Sequence, residues 1–360
     1  MSMQVCYKKQ ILFGLLLSMI IIFSVEGILR IYDYYFPACS FYDSEVFADF
    51  SSDLRRKICY DNTKTVWNDN PLRLIPMQNL EITHINSDGF RGDEVKNLPS
   101  YRIFLVGGST MYGVGASSDE TTIPGYLGKM ISQNYENIEI INAGIPRNYS
   151  VSEIEYIKND LIHYKPNMII VYDGWNDLEK NFNEFNTTKE NDLNEFIRFI
   201  HRAEYHTPKI ILHHYFNWKH ETYDLKFDSK HIEEKSSLWA ENWKDTCESL
   251  NEEGIKIVII LQPILGSGDK ILSSEEEEYF SHYDSGTANK FYEKYAKKMQ
   301  SLKNSCYQVH DYRNVFDGYT DTIYFDSGHM SDAGNKIIAD KIYEVILPII
   351  TQDLKNNTNP

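Results

Sequence analysis

The sequence predicts an α/β protein, a parallel sheet covered by helices on both faces, behind one N-terminal transmembrane helix. Three observations carry this. From residue 101 onward, short runs rich in Ile and Val alternate with segments of helical period, the pattern of βαβ units. The first three runs each break into Gly, Ser, Asn or Asp at the carboxyl end. An uncharged apolar stretch, Ile11–Val25, follows an amino terminus carrying Lys8 and Lys9.

A spanning helix needs about 20 residues. Ile11–Leu29 nearly supplies them, interrupted only by Glu26. Glu26 and Arg30 are one turn apart and can pair. Tyr32, Tyr34, Tyr35 and Phe36 make an interfacial aromatic belt. Lys8 and Lys9 orient the short amino terminus to the cytoplasm and the remainder outside. A cleaved signal peptide has a similar apolar core. Val25-Glu26-Gly27 is a poor cleavage site, so an uncleaved anchor over residues 11–31 is expected, with 1–10 cytoplasmic. Either reading exports the rest.

Cysteine usage agrees. Cys6 falls on the cytoplasmic side, and Cys39, Cys59, Cys247 and Cys306 are exported. Four cysteines allow three pairings; proximity favours Cys39–Cys59 and leaves Cys247–Cys306. Four buried thiols are the alternative, less suited to an oxidising compartment. Asn148, Asn186 and Asn356 begin glycosylation sequons.

Residues 32–100 read as an irregular polar and aromatic lead-in, expected to pack on the domain that follows. Within it NSDGFRG, Asn86–Gly92, reads as a turn in which Asp-Gly supplies the positive φ. Arg102–Val106 is a strand, and Ile123–Tyr135 a helix with Pro124 marking its start. Ile138–Ala143 is a strand. In Ser150–Tyr164, Val151, Ile154, Ile157 and Leu161 recur at helical spacing, and Pro166 ends the helix. Met168–Tyr172 is a strand. Residues 178–235 are a polar insertion with one short strand, Lys209–His213. Ser236–Glu252 is a helix, Ile255–Leu261 a strand, Leu272–Leu302 mostly helical, Tyr307–Val309 a short last strand and Asp332–Ile350 the final helix. The domain therefore spans 101–350, with 351–360 a polar tail. A formal net charge of −16 repels phosphate backbones, which argues against a nucleic-acid partner.

In a doubly wound sheet, ligands bind beyond the carboxyl ends of the strands, where strand order reverses. Gly107-Gly108-Ser109, Asn142-Ala143-Gly144 and Asp173-Gly174-Trp175-Asn176-Asp177 follow the first three strands, and Asp326-Ser327-Gly328-His329 precedes the final helix. Each residue type has a task in acyl transfer. Ser109 is a nucleophile that needs a base, and His329 can be that base. Asp326, three residues earlier, can reach the other ring nitrogen through one tight turn. An oxyanion needs preorganised donors, which the amides of Ser109 and Gly144 and the Asn176 side chain can provide.

Ser109, Gly144, Asn176 and His329, carried by VGGSTMYG, INAGIP, VYDGWND and FDSGHMSDAGN, resemble the SGNH (GDSL) hydrolase superfamily over roughly residues 100–350. NSDGFRG, LQPIL (Leu261–Leu265) and the anchor resemble a membrane-linked branch of it. The resemblance implies a flavodoxin-like three-layer α/β/α sandwich on a five-stranded parallel sheet, with serine-based cleavage of ester or acyl bonds and no cofactor. Two positions depart from the pattern. Gly108 stands where the signature has aspartate, and Ile145-Pro146-Arg147-Asn148 follows the second block where another glycine is common. Arg147 reads as a rim residue for an acidic substrate group or as a solvated side chain. Trp175 reads as a sugar platform or as packing, and Arg91 as a residue reaching the site or as part of an ordinary turn. Asp173 and Asp177 read as structural. His206, His213, His214 and His220 have no regularly placed carboxylate, so no metal is expected.

Other folds fit less well. A G-x-S-x-G elbow would need glycine where Met111 stands. A phosphate-binding loop would leave Asn176 and the Asp326/His329 pair unexplained. The expected function is an extracytoplasmic, membrane-anchored serine esterase or deacylase acting on an acylated small molecule, lipid or glycan, with O-acetyl the simplest case. The alternatives are an O-acyltransferase acting on cell-surface glycan and a non-catalytic surface protein.

Overall fold

The computed structural model describes residues 7–35, 39, 41–179, 231–282 and 285–358. The strand expected at Lys209–His213, the clustered histidines and the sequon at Asn186 lie outside them. Tyr7–Tyr35 is one continuous helix, α1. Its stretch Tyr7–Tyr32 is long and apolar enough to cross a membrane, a test that a signal sequence near an amino terminus also passes. Glu26 and Arg30 pair on it at 3.1 Å.

Asp43–Thr188 and Leu225–Pro360 form a compact unit of their own. Its lead-in is more regular than the sequence suggests. Helix α2, Ser52–Lys64, is capped by Ser51, whose hydroxyl accepts from the Leu54 N–H. Two antiparallel pairs follow: β1 (Trp67–Asp69) with β2 (Leu72–Leu74), and β3 (Gln78–Asn79) with β4 (His84–Ile85). Strands of two or three residues are too short to show an alternation, which is why the sequence reads here as irregular.

The central sheet comprises β5 (Tyr101–Gly107), β6 (Ile138–Gly144), β7 (Met168–Asp173), β8 (Lys256–Leu261) and β9 (Gln308–Asp311). Their order is β6-β5-β7-β8-β9, with every neighbouring pair parallel. All seven residues of β5 are buried. Its side chains alternate, as strand geometry requires: Phe104 and Val106 enter one apolar layer, and Tyr101, Ile103 and Leu105 enter the other. Strand β8 divides the same way, Ile257, Ile259 and Leu261 against Val258 and Ile260.

Among the described residues the unit also has the helices α3 (Ser109–Tyr112), α4 (Ile123–Ser132), α5 (Ser150–Asn159), α6 (Trp175–Glu179), α7 (Ile232–Glu252), α8 (Ser274–His282), α9 (Ser285–Met299) and α10 (Asp332–Thr358). Helices α5, α7 and α9 cover the first layer through Ile157, Trp243 and Tyr295. Helices α4 and α10 cover the second through Leu127 and Ile342. This is a three-layer α/β/α sandwich. The segment expected as one helix over Ser150–Tyr164 ends at Asn159 and continues as a short 3-10 turn, Leu161–Tyr164. The final helix outruns its expected end at Ile350. Asp353 accepts from the Tyr101 hydroxyl at 2.7 Å and pairs with Lys256, so the polar tail is anchored at the amino-terminal ends of β5 and β8.

Cys247 in α7 and Cys306 before β9 form a disulfide, and Cys39 and Cys59 are also in the disulfide state. The Cys247–Cys306 link closes a separation of 59 residues, worth about 4 kcal/mol in the chain-entropy account. Cys247→Ser is expected to lower the denaturant midpoint strongly in oxidising buffer and to change it little once reductant is present. Equilibrium unfolding in the two buffers checks this.

Candidate active site

Strand β5 lies between β6 and β7, so the chain passes to one side of it and then the other. Its carboxyl end is the topological switch point, where a crevice opens. Ser109 follows β5 directly as the first residue of α3, with Gly108 at the N-cap. Its hydroxyl lies 2.6 Å from His329 Nε2, and His329 Nδ1 lies 2.7 Å from Asp326 Oδ2.

The three-residue spacing works because Asp326 closes a local turn. Its Oδ1 accepts from the N–H groups of Gly328 at 2.9 Å and His329 at 2.7 Å, leaving Oδ2 for the ring. Burial pushes the Asp326 carboxyl up, but the charge His329 carries when protonated and these hydrogen bonds outweigh it and hold the group below its usual value. An ionised carboxylate only accepts, so His329 Nδ1 carries the proton and Nε2 is left to accept from Ser109. Phe325 stacks on the imidazole with ring planes 11° apart.

The approach to this turn is fixed from beneath by Glu276 of α8, a residue the sequence reading passed over inside a run of glutamates. Its fully buried carboxylate accepts from Lys270 Nζ at 2.6 Å, from the Ser273 N–H, and from the N–H groups of Ile323 and Tyr324. Nothing in a Glu-Glu-Glu-Glu run marks which member turns inward.

Asn176 sits in α6 at the end of β7, and its Nδ2 donates to the Asn148 carbonyl at 2.5 Å. One N–H of the amide remains beyond this bond. Ser109, Asn176, His329, Arg147 and Trp175 share a cleft of about 350 Å³, walled also by Val114 and Pro146. Trp175 is only 7% exposed and belongs to the apolar layer, so it forms a wall and not an open platform.

Two expectations are corrected. The Gly144 N–H is already engaged by Asn142 Oδ1 at 3.0 Å, and a Cβ at Gly144 would lie 2.2 Å from the Tyr112 nitrogen. Gly144 permits close packing of β6 on α3 and is not a donor to the cleft. Arg91 does not line the cleft either. It is buried, donates to the Tyr112 and Gly113 carbonyls at the end of α3, and pairs with Asp119 at 2.8 Å. The guanidinium satisfies orphan carbonyls behind the serine's helix, which is a bracing task. The sequon at Asn148 is also closed: Asn148 is 1% exposed and its Oδ1 accepts from Ser152 at 2.5 Å.

Beneath Asn176 lies an acidic layer. Asp173 accepts from the indole N–H groups of Trp239 at 2.9 Å and Trp243 at 3.2 Å. Asp177 accepts from the Ser150 N–H and hydroxyl. Glu153 is fully buried, and neither of its oxygens has a hydrogen-bond partner among the described residues. Burial, reinforced by the charges of Asp173 and Asp177, raises the Glu153 carboxyl well above its usual value. Burial and Asp173 do the same to Asp177. Among the described residues no group of three or more His, Cys, Asp or Glu is placed to hold a metal ion.

A model of the GDSL-like lipase/acylhydrolase family matches residues 105–337. No curated protein sequence matches the chain significantly. Solved structures do resemble it at low identity. The acetyl xylan esterase AlAXEase is 15% identical, with a TM-score of 0.40 over 68% of this chain and 99% of its own. TesA is 12% identical, with a TM-score of 0.42 over 69% and 98%. A catalytic mutant of Axe2, an acetylxylan esterase from Geobacillus stearothermophilus, is 13% identical, with a TM-score of 0.42 over 69% and 95%.

A Cβ at Gly108 would lie 2.3 Å from Asn176 Nδ2. That atom ends a side chain and can swing away, so Gly108→Ala is expected to fold normally and lose on the order of 10²-fold in kcat; thermal melting and turnover measured on one preparation separate the two effects. Because Glu153 titrates high when folded, the stability linked to it is complete below the ordinary glutamate pKa. It declines as pH rises from there to the raised value. Glu153→Gln is expected to flatten that decline in unfolding measured from pH 4 to 9.

Proposed function

The chain belongs to the GDSL-like lipase/acylhydrolase family and is by that membership a carboxylic ester hydrolase; on this premise we propose a membrane-anchored serine esterase working outside the cytoplasm through Ser109, His329 and Asp326. The observation that carries the reading is the continuous hydrogen-bonded line from Ser109 Oγ through the His329 ring to Asp326.

Ser109 Oγ attacks the ester carbonyl carbon while its proton passes to His329 Nε2. The imidazolium that forms is stabilised by Asp326, which keeps no proton itself. The tetrahedral intermediate collapses as the C–O bond to the alcohol breaks, and His329 returns the proton to the departing oxygen. Water then attacks the acyl-enzyme, gives a proton to His329, and the acid leaves as Ser109 regains it.

Negative charge develops on the former carbonyl oxygen. Asn176 Nδ2 and the Ser109 N–H answer it, the latter an orphan donor at the first position of α3. The third donor is reassigned from Gly144 to the Arg147 N–H, which bonds to no acceptor among the described residues and lies in the cleft wall. The walls of Val114, Pro146 and Trp175 suit a short acyl group such as acetyl. The amino-terminal lysines and α1 orient the unit outward, where an acylated glycan or lipid is within reach.

Ser109→Ala is expected to abolish fluorophosphonate labelling and turnover of a short-chain aryl ester. Full activity in that variant overturns the reading. Asn176→Ala is expected to keep labelling detectable and to cost on the order of 10²–10³ in kcat; an unchanged rate removes it from the site.

A further inference from the structure

Among the described residues three that are not glycine have positive φ: Met77, Arg147 and Lys165. Lys165 closes a 3-10 turn, an ordinary place for that conformation, and Met77 lies in the lead-in before β3. Arg147 alone of the three lines the cleft with Ser109 and His329. The Asn148 N–H bonds to the Ile145 carbonyl at 3.0 Å, closing a β-turn with Pro146 and Arg147 at its centre. Arg147, at φ +68°, occupies the third position of a type II pattern, where glycine or asparagine is favoured. Glycine would adopt this backbone without steric cost.

The arginine is not held there by packing. Its side chain is exposed and forms no ion pair with any described residue. Its backbone, by contrast, is tightly set. Pro146 restricts the turn on one side. On the other, Asn148 is buried, its carbonyl accepting from Asn176 and its side chain from Ser152. The turn therefore fixes where this side chain leaves the backbone, on the rim of the cleft that also holds Ser109.

The charge is also unusual for its surroundings. The chain carries a formal charge of −16, and Arg147 is the one permanent cation among the described residues lining the cleft. The one carboxylate among the described residues lining the cleft, Asp326, is committed to His329 and to two amides.

We infer that Arg147 is a specificity residue that binds an anionic group on the alcohol side of the ester, so that the preferred substrate is an O-acylated carbohydrate bearing a carboxylate or a phosphate. The planar guanidinium takes two parallel N–H···O bonds from either group and holds the carrier while the ester carbonyl faces Ser109. This rests on the esterase reading above and adds to it the chemical class of the carrier.

The test compares kcat/KM for O-acetyl methyl glucuronoside, O-acetyl glucose phosphate and O-acetyl methyl glucoside. Wild-type protein is expected to prefer at least one of the two anionic esters over the neutral one, which also identifies the anion. Arg147→Gly, whose backbone suits the turn and which therefore folds, is expected to lower that ratio by about 10- to 100-fold. Arg147→Lys is expected to keep part of it. Any effect of the substitution on the chemical step itself cancels in the ratio. An equal ratio in wild type and Arg147→Gly overturns the inference. If no variant turns over any ester, so that the esterase reading itself falls, calorimetric titration of methyl glucuronoside and glucose phosphate decides the matter. Binding that Arg147→Gly abolishes supports the inference, and binding that survives or never occurs overturns it.

Discussion

Asp326 accepts three hydrogen bonds inside a four-residue turn, and the reactive geometry hangs on that arrangement. Two backbone N–H groups take one oxygen and so aim the other at the ring of His329. The ring is thereby fixed in orientation and in tautomer, and its far nitrogen meets Ser109. The turn is short enough to be local, yet it must be delivered to a strand more than two hundred residues earlier in the chain. The buried Lys270–Glu276 pair does the delivery by gripping Ile323 and Tyr324 just before the turn. Removing either charge would strand the other in the interior, at a cost of about 3–5 kcal/mol.

A second constraint sits on the opposite wall. Asn176 rises from a layer of carboxylates that burial makes harder to ionise, and it reaches across to the Asn148 carbonyl. The wall of Ser109 and the wall of Asn176 meet at Gly108, where an added Cβ would press on Asn176 Nδ2. Among the described residues lining the cleft, only its cationic rim is freely exposed to solvent.

Much of this was legible in the sequence. Strands β5 to β8 are apolar runs whose residues enter both layers, so each reads as buried on two faces; the breaks at their ends mark the active edge. The pairing of Asp326 with His329 followed from spacing alone. Donor identity did not. Whether Gly144 offers its N–H depends on Asn142, two residues away, folding its side chain back onto it. Whether Arg91 reaches the cleft depends on unpaired carbonyls at the end of α3, which no spacing reveals. The lead-in hairpins were invisible because strands of two or three residues hold too little of a two-residue alternation to be read. The last turns of α10 were hidden because a polar segment is anchored chiefly through Asp353, with Leu354 as its one apolar contact to the second layer among the described residues.

The burial of Asn148 has a consequence for how the protein can be made. Its side chain and carbonyl are built into the wall that positions Asn176, yet Asn-Tyr-Ser is a substrate for oligosaccharyl transfer during export. A sugar attached to the nascent chain would have no room once the turn closes. Glycan occupancy at this asparagine and an assembled cleft exclude each other. Secretion through a glycosylating host would divide the product into a modified, inactive fraction and an unmodified, active one, whereas a host without that machinery would yield a single species.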